Sequence, residues 1–313
     1  MKSKASAPGK VILFGEHFVV YGVKAILCAI DKRITVTSEK TQSKKISIKS
    51  NIGNLELEPN KPLSEINSPL KPFYFLADKI LQNQNVGIEI SVESDIPLGV
   101  GLGSSSACCV AGAASITRLF EDVTKEKILE LAIDAEKTIF QNTSGADCTV
   151  CTYGGMMEYD KENGFSKIES ESNFHLIIAN SNIEHSTDTV VKKVKKFRNE
   201  NEEKFSELCS NETKLVEEVL ELLKENNITE LGQKINLNQE FLEVIGVSNE
   251  KLRDMIQVGQ KSSLGAKITG AGGGGCIFAL TDEKNLNNTM NQFKEKNYEC
   301  FSVKIDLRGL NTF

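Results

Sequence analysis

The chain has 313 residues, a formal net charge of −6 and a pI near 5.4, a balance that excludes the basic face a nucleic-acid partner needs. It is 40% hydrophobic and 26% charged, as expected of a soluble globular protein long enough for two domains with separate cores. No apolar run reaches the roughly 18 residues needed to span a bilayer. MKSKASAPGK runs into VILF without a signal-type apolar core, so a cytoplasmic protein with no membrane partner is expected.

In chain order, residues 10–14 are apolar and β-prone, 25–36 hold further strands, and Ile46 and Ile48 alternate with polar residues. Residues 51–72 are polar with four prolines and read as a loop. Residues 73–82 have helical apolar spacing. Ile88, Ile90 and Val92 then alternate with Glu89, Ser91 and Glu93, a half-buried strand that ends at Pro97. A small-residue helix is predicted over 105–120, and a second over 125–141 with Ile128, Leu131, Ala132 and Ala135 on one face.

Gly154 and Gly155 turn the chain into a strand over 156–159, and polar residues dominate 161–173. A domain boundary is therefore expected near residue 168, giving units 1–168 and 169–313. Beyond it come a strand at 175–179 and helices over 188–224 and 229–263. Strand, glycine loop, strand, helix and strand follow from 266 to 306. Lys192, Lys193, Lys195 and Lys196 interleave with Val191, Val194 and Phe197, the solvated face of a helix. Strands mixed with helices in both halves indicate an α+β, two-domain enzyme.

Eight cysteines are too few for a disulfide scaffold in a chain of this length. Cys148 and Cys151 form a CxxC, but no second pair or nearby His completes a zinc site. Thr149 and Val150 between them favour a strand, so core thiols are expected.

The segment Pro97-Leu98-Gly99-Val100-Gly101-Leu102-Gly103-Ser104-Ser105-Ser106-Ala107 lies between a predicted strand and a predicted helix. Its glycines let the backbone approach a ligand, the helix start offers unpaired N–H groups to an anion, and the serines add hydroxyls for phosphate or a metal. This is the chemistry of a phosphate cradle, although it has neither the Lys-Ser/Thr pair of a Walker loop nor GxGxxG spacing. Gly270, Gly272 and Gly275 do satisfy GxGxxG, yet a strand pattern follows at 276–280 where a dinucleotide fold needs a helix. Four successive glycines between two strands predict a backbone pressed against a ligand or against the first glycine loop.

Phosphoryl transfer needs a phosphate cradle, a magnesium ion, a cation for developing charge and a group for the acceptor hydroxyl. The candidates are Lys10, Glu16, His17, Glu136 and Asp147. Three segments, SAPGKVILFGEHFVVYG (6–22), PLGVGLGSSSA (97–107) and ITGAGGGGC (268–276), resemble in order and spacing the three signature motifs of the GHMP kinases. Within that superfamily the first motif, with Phe18-Val19 after Gly-Glu-His, and residues 136–147 and 180–190 are most similar to mevalonate kinases of the compact archaeal type.

The resemblance implies an N-terminal domain similar to ribosomal protein S5 domain 2, a ferredoxin-like C-terminal domain, and ATP between them. It implies Asp147 and Lys10 as catalytic groups, residues 97–107 around the phosphates, and Ser105 and Glu136 on Mg2+. His17 and Thr187 would face mevalonate, with Glu16 supporting Lys10 or His17, and a homodimer is the family expectation. Two departures are visible: Thr143 stands where the family commonly has Pro, and Ala146 where it often has Val. No basic residue lies at 186–188, where some relatives carry one. Rival readings are another GHMP kinase, above all a phosphomevalonate kinase, and a catalytically silent metabolite sensor of the same fold.

Overall fold

The fold is that of a computed structural model, which describes residues 1–82, 84–97, 100–170, 174–184 and 186–313. Leu98 and Gly99 of the first glycine loop lie outside the described residues. The first half of the chain supplies strands β1 (Lys2–Phe14), β2 (Ala25–Thr41), β3 (Ile46–Ser50), β4 (Gly53–Leu57), β5 (Gly87–Ser94), β6 (Met156–Asp160) and β7 (Gly164–Ile168). With these come helices α1 (Lys71–Leu81), α2 (Ser104–Thr117), α3 (Lys125–Glu136) and α4 (Ala146–Tyr153). The second half supplies β8 (His175–Asn180), α5 (Thr187–Glu200), α6 (Glu202–Glu225), α7 (Ile228–Val244) and α8 (Glu250–Ser262). It continues through β9 (Gly265–Ile268), β10 (Cys276–Thr281), α9 (Leu286–Glu295), β11 (Cys300–Val303) and β12 (Asn311–Thr312).

Two sheets result. The first runs β12-β1-β2-β5-β3-β4, with β6 added to β2 and β7 to β6; the second runs β11-β8-β10-β9. The α2 helix packs on β1 and β2 and touches α1, α3 and α4, which makes it the hub of the first core. Its Ala, Gly and Cys side chains suit that place, because small residues let neighbouring backbones come close. Helices α7, α8 and α9 pack on the second sheet, and no helix among the described residues is long and apolar enough to cross a membrane.

Several boundaries differ from the sequence reading for identifiable reasons. The loop expected at 51–72 contains β4 and a 3-10 turn at Leu63–Glu65. As the last strand of its sheet, β4 exposes Gly53, Asn54 and Glu56, so it lacks the apolar pattern of an inner strand. The long helix expected at 188–224 breaks at Asn201, and that at 229–263 breaks between α7 and α8. Thr149 and Val150 lie in α4 rather than in a strand. The hydroxyls of Thr149 and Thr152 bond back to the carbonyls of Gly145 and Cys148 at 2.9 and 2.8 Å, while Val150 is core. All eight cysteines are free.

The predicted boundary falls between β7, on the first sheet, and β8, on the second. The end of the chain then leaves the second sheet and returns to the first. Ile305 bridges Ile30, and β12 pairs with β1 through Ala5–Thr312 and Ser6–Asn311. Arg33 fastens this return: it pairs with Asp306 and donates to the carbonyls of Ser6 and Gly309 at 2.8 and 2.6 Å. Both side chains of the pair are largely buried, so removing one leaves the other uncompensated. Arg33→Ala is expected to lower the unfolding free energy by about 3 kcal/mol, measured by urea denaturation. A loss below about 0.5 kcal/mol would show that the tail is held by its backbone pairing alone.

Candidate active site

The site begins where β1 meets the first glycine loop. The backbone N–H of Lys10 donates to the Leu102 carbonyl at 2.9 Å. Gly103 has φ +73°, and a Cβ on it would lie 2.6 Å from Lys10 Cγ, so no side chain fits at this position. The buried Lys10 ammonium reaches Asp147 Oδ2 at 3.0 Å. Asp147 sits on the first turn of α4 with a third of its side chain exposed, against 6% for Lys10. The cation is therefore fixed and the carboxylate is the open member of the pair.

Ser104, Ser105 and Ser106 form the first turn of α2, whose N-cap is Gly103 and which no side chain caps. The first N–H groups of that helix are thus left for another partner. Ser104 and Ser105 are half-buried, Val100, Leu102 and Ala107 are buried, and Pro97 and Gly101 are exposed. Ser106 is buried and donates to Glu136 Oε1, while the Thr143 hydroxyl donates to Oε2 at 2.5 Å. Both oxygens of this buried carboxylate therefore have hydroxyl partners, and those partners are Ser106 and Thr143. Among the described residues no group of three or more His, Cys, Asp and Glu is placed to hold a metal.

The turn after β1 is built differently from the sequence expectation. Gly15 has φ +89° and is packed against the backbone of Lys24 and Ala25, where a Cβ would collide. Its N–H donates to Glu212 Oε1 at 3.1 Å. The Glu16 carboxylate pairs with Lys267 of β9, and both side chains are buried. His17, at φ +67°, places Nε2 2.8 Å from the Ala271 carbonyl. A carbonyl only accepts, so Nε2 carries the proton and Nδ1 is the acceptor side of the ring. Burial holds the His17 pKa below its ordinary value, and the Lys267 charge adds to this. The Ala271 bond and Glu16 oppose it, leaving a neutral imidazole at pH 7.

Lys267, Glu212 and Asn238 escaped the sequence reading. Glu212 is fully buried and accepts from the Asn238 amide at 2.7 and 2.6 Å as well as from Gly15. A signal was present for each charge. Glu212 stands four residues after Leu208 and three and four before Leu215 and Val216, on the apolar stripe of α6. Lys267 interrupts the apolar pair Ala266 and Ile268.

Among the described residues, the backbone contacts of the second glycine loop run to Val247, to the end of β1 and its turn, and to the segment after β8. Gly273 N–H donates to Val247 at 2.6 Å. Thr269 Oγ1 exchanges two 3.2 Å hydrogen bonds with the backbone of Ile12, and Ala271 holds His17. Gly275 bonds to Ser181 and Ile183 at 2.9 and 3.2 Å, in the segment that leads to α5. Thr187, the first residue of α5, is exposed. Cys148 and Cys151 are buried on α4 with their thiol pKa values raised, chiefly by burial, which makes them inert core residues.

With this geometry established, the comparisons with known proteins fall on one group. The GHMP kinases N terminal domain matches residues 70–155, and the GHMP kinases C terminal domain matches residues 219–299. A mevalonate kinase of Pyrococcus furiosus is 35% identical over 307 residues, covering 91% of this chain and 90% of its own. The structure of Methanococcus jannaschii mevalonate kinase superposes with a TM-score of 0.86 at 28% identity, covering 96% of this chain and 98% of that one. That of L. major mevalonate kinase, in complex with R-mevalonate, superposes with a TM-score of 0.84 at 26% identity, over 96% of each chain. The chain belongs to the GHMP kinases, in their mevalonate kinase family.

The buried network makes a pH prediction. Burial and the neighbouring Glu16 charge push the Glu212 pKa from 4.5 to about 7, against the opposing Lys267, Asn238 and Gly15 N–H. Below pH 4.5 the group is protonated in both folded and unfolded chains. As pH rises to about 7 the unfolded chain releases a proton that the fold retains. Stability from this group therefore falls with rising pH, by about 3 kcal/mol in all. Glu212→Gln should remove that slope. Urea titrations across this window are expected to show the variant gaining on the parent as pH rises, and a pH-independent difference would refute the assignment.

Proposed function

We infer that this protein transfers the γ-phosphoryl group of ATP to the 5-hydroxyl of mevalonate, giving 5-phosphomevalonate and ADP. The observation that carries the reading is the Lys10–Asp147 pair at 3.0 Å, set beside a helix start that no side chain caps, in a chain of this family. Residues 97–107 receive the phosphates, with the N–H groups at the start of α2 donating to their oxygens. Asp147 orients the acceptor hydroxyl and takes its proton. Lys10 lowers the pKa of that hydroxyl and stabilises charge in transit as the new O–P bond forms and the bond to the β-phosphate oxygen breaks.

Ser105 and Glu136 are the oxygen donors proposed for Mg2+. One carboxylate and one hydroxyl suit an ion that takes its remaining ligands from nucleotide phosphates and water. When bound, it neutralises charge on the β- and γ-phosphates. His17 offers Nδ1 toward the acceptor, Thr187 stands at the acceptor side, and Glu16, paired with Lys267, supports the turn that carries His17.

A coupled ADP-release assay with mevalonate, 5-phosphomevalonate, homoserine and galactose in turn, and a control without acceptor, tests the substrate. Mevalonate should give the highest kcat/KM, because a second phosphate would meet the Asp147 carboxylate in a closed site. Preference for 5-phosphomevalonate would move the enzyme to the next phosphorylation. Asp147→Asn should fold and bind ATP while turnover falls by about two to four orders of magnitude; near-parental turnover would remove Asp147 from the mechanism.

A further inference from the structure

Lys267 has no accessible surface, although a lysine is among the residues least often fully buried. It lies 6.0 Å from the ring centroid of Phe14 and 5.4 Å from that of Phe278. Its ion-pair partner Glu16 is buried as well, and the second carboxylate, Glu212, adds further attraction for the ammonium. Burying three ionisable groups is costly, and a well-packed apolar core would not require it. Among the described residues, Glu16 Oε2 and Asn238 Oδ1 even remain buried without a hydrogen-bond partner. So expensive an arrangement calls for a reason other than stability.

The geometry points to Lys267 and Glu212 as positioning residues for acceptor binding: from the second domain they grip the Gly15–Glu16–His17 turn and hold His17 in its working orientation. Lys267 takes the Glu16 carboxylate from β9, Glu212 takes the Gly15 N–H from α6, and Asn238 of α7 fixes Glu212. His17, the next residue, then sits at positive φ with Nε2 directed to Ala271. A non-glycine residue at positive φ is held by its surroundings rather than by its own preference. Lys10 is secured separately, by Leu102 and Asp147. Loss of the grip therefore acts on the acceptor side and spares the phosphate side.

This inference rests on the reading that His17 faces the acceptor, so the parent enzyme and the variants are measured in one assay with the acceptor that the parent prefers. Lys267→Met is the direct variant. Glu16→Gln combined with Lys267→Met replaces the ion pair by a neutral pair and avoids stranding a buried charge. In Glu212→Ala the Glu16–Lys267 pair remains while the acceptor for Gly15 N–H is lost. For every variant that folds, KM for the acceptor should rise at least about tenfold while KM for ATP stays within about twofold.

A readout independent of activity is available because the chain has only three histidines. In 15N spectra of the parent, assigned with His17→Gln, the His17 ring should be fixed as the Nε2–H tautomer; in the variants it should average between tautomers. Folded variants with the parental acceptor KM and a fixed His17 tautomer would overturn the inference, even if they melted earlier, since that would be a structural role alone. A parent that ignores mevalonate but accepts another substrate would overturn the functional reading and leave the positioning test intact.

Discussion

The contact on which the site depends is the backbone approach of β1 to the first glycine loop. Lys10 N–H reaches the Leu102 carbonyl, and Gly103 lies against the Lys10 side chain with no room for a Cβ. Because Gly103 is also the N-cap of α2, the same contact sets where that helix begins. α2 in turn packs on β1 and β2 and against α4, the helix that carries Asp147. Close packing of small side chains transmits position with little slack. The 3.0 Å Lys10–Asp147 pair is thus the product of the core of the first domain rather than of two side chains finding each other.

One strand serves both halves of the molecule. Lys10 is bound to the loop and helix of the first domain. Ile12 exchanges hydrogen bonds with Thr269, Glu16 pairs with Lys267, and His17 bonds to Ala271, all from the second. Within seven residues the chain passes from one domain to the grip of the other. In the proposed mechanism Lys10 activates the acceptor hydroxyl and His17 orients the same substrate, and two such groups need a fixed separation, since small misplacements are costly in rate. Placing both on one strand and its turn sets that separation by covalent geometry, and the cross-domain bonds then set the angle.

What the sequence revealed follows from how local each signal is. The strand at 88–92, the glycine loop and the small-residue helix are written in period, turn chemistry and composition, all within a few residues. Lys10 and His17 became candidates through the first of the three motifs, and Glu136 and Asp147 through the separate 136–147 segment, and the fold brings Lys10 to Asp147 across 137 positions of chain, counted as 147 − 10. Glu212 and Lys267 were not read because their partners come from other segments. Each looks like an isolated charge until α6, β9 and the Gly15 turn are assembled. The same holds for the return of the tail: Arg33 has no local reason to seek Asp306. The CxxC segment misled in the opposite direction, since its β-branched residues read as strand by propensity and were overridden by burial in a short core helix, where the threonine hydroxyls bond back to the preceding turn.

The surroundings of Glu136 explain why Thr143, one of the two departures from the family pattern, is compatible with the chemistry. Proline at that position could shape the backbone but could donate nothing, whereas the Thr143 hydroxyl donates to Oε2 and Ser106 to Oε1. A buried carboxylate must be satisfied, and charged and neutral donors have different consequences. A lysine or arginine would satisfy it by cancelling its charge, as Lys267 does for Glu16. Hydroxyl donors satisfy the oxygens and bring no opposing charge. Glu16 and Glu136 are therefore partnered differently: Glu16 meets an ammonium and Glu136 meets two hydroxyls, an arrangement that suits the role proposed for Glu136 as a cation ligand.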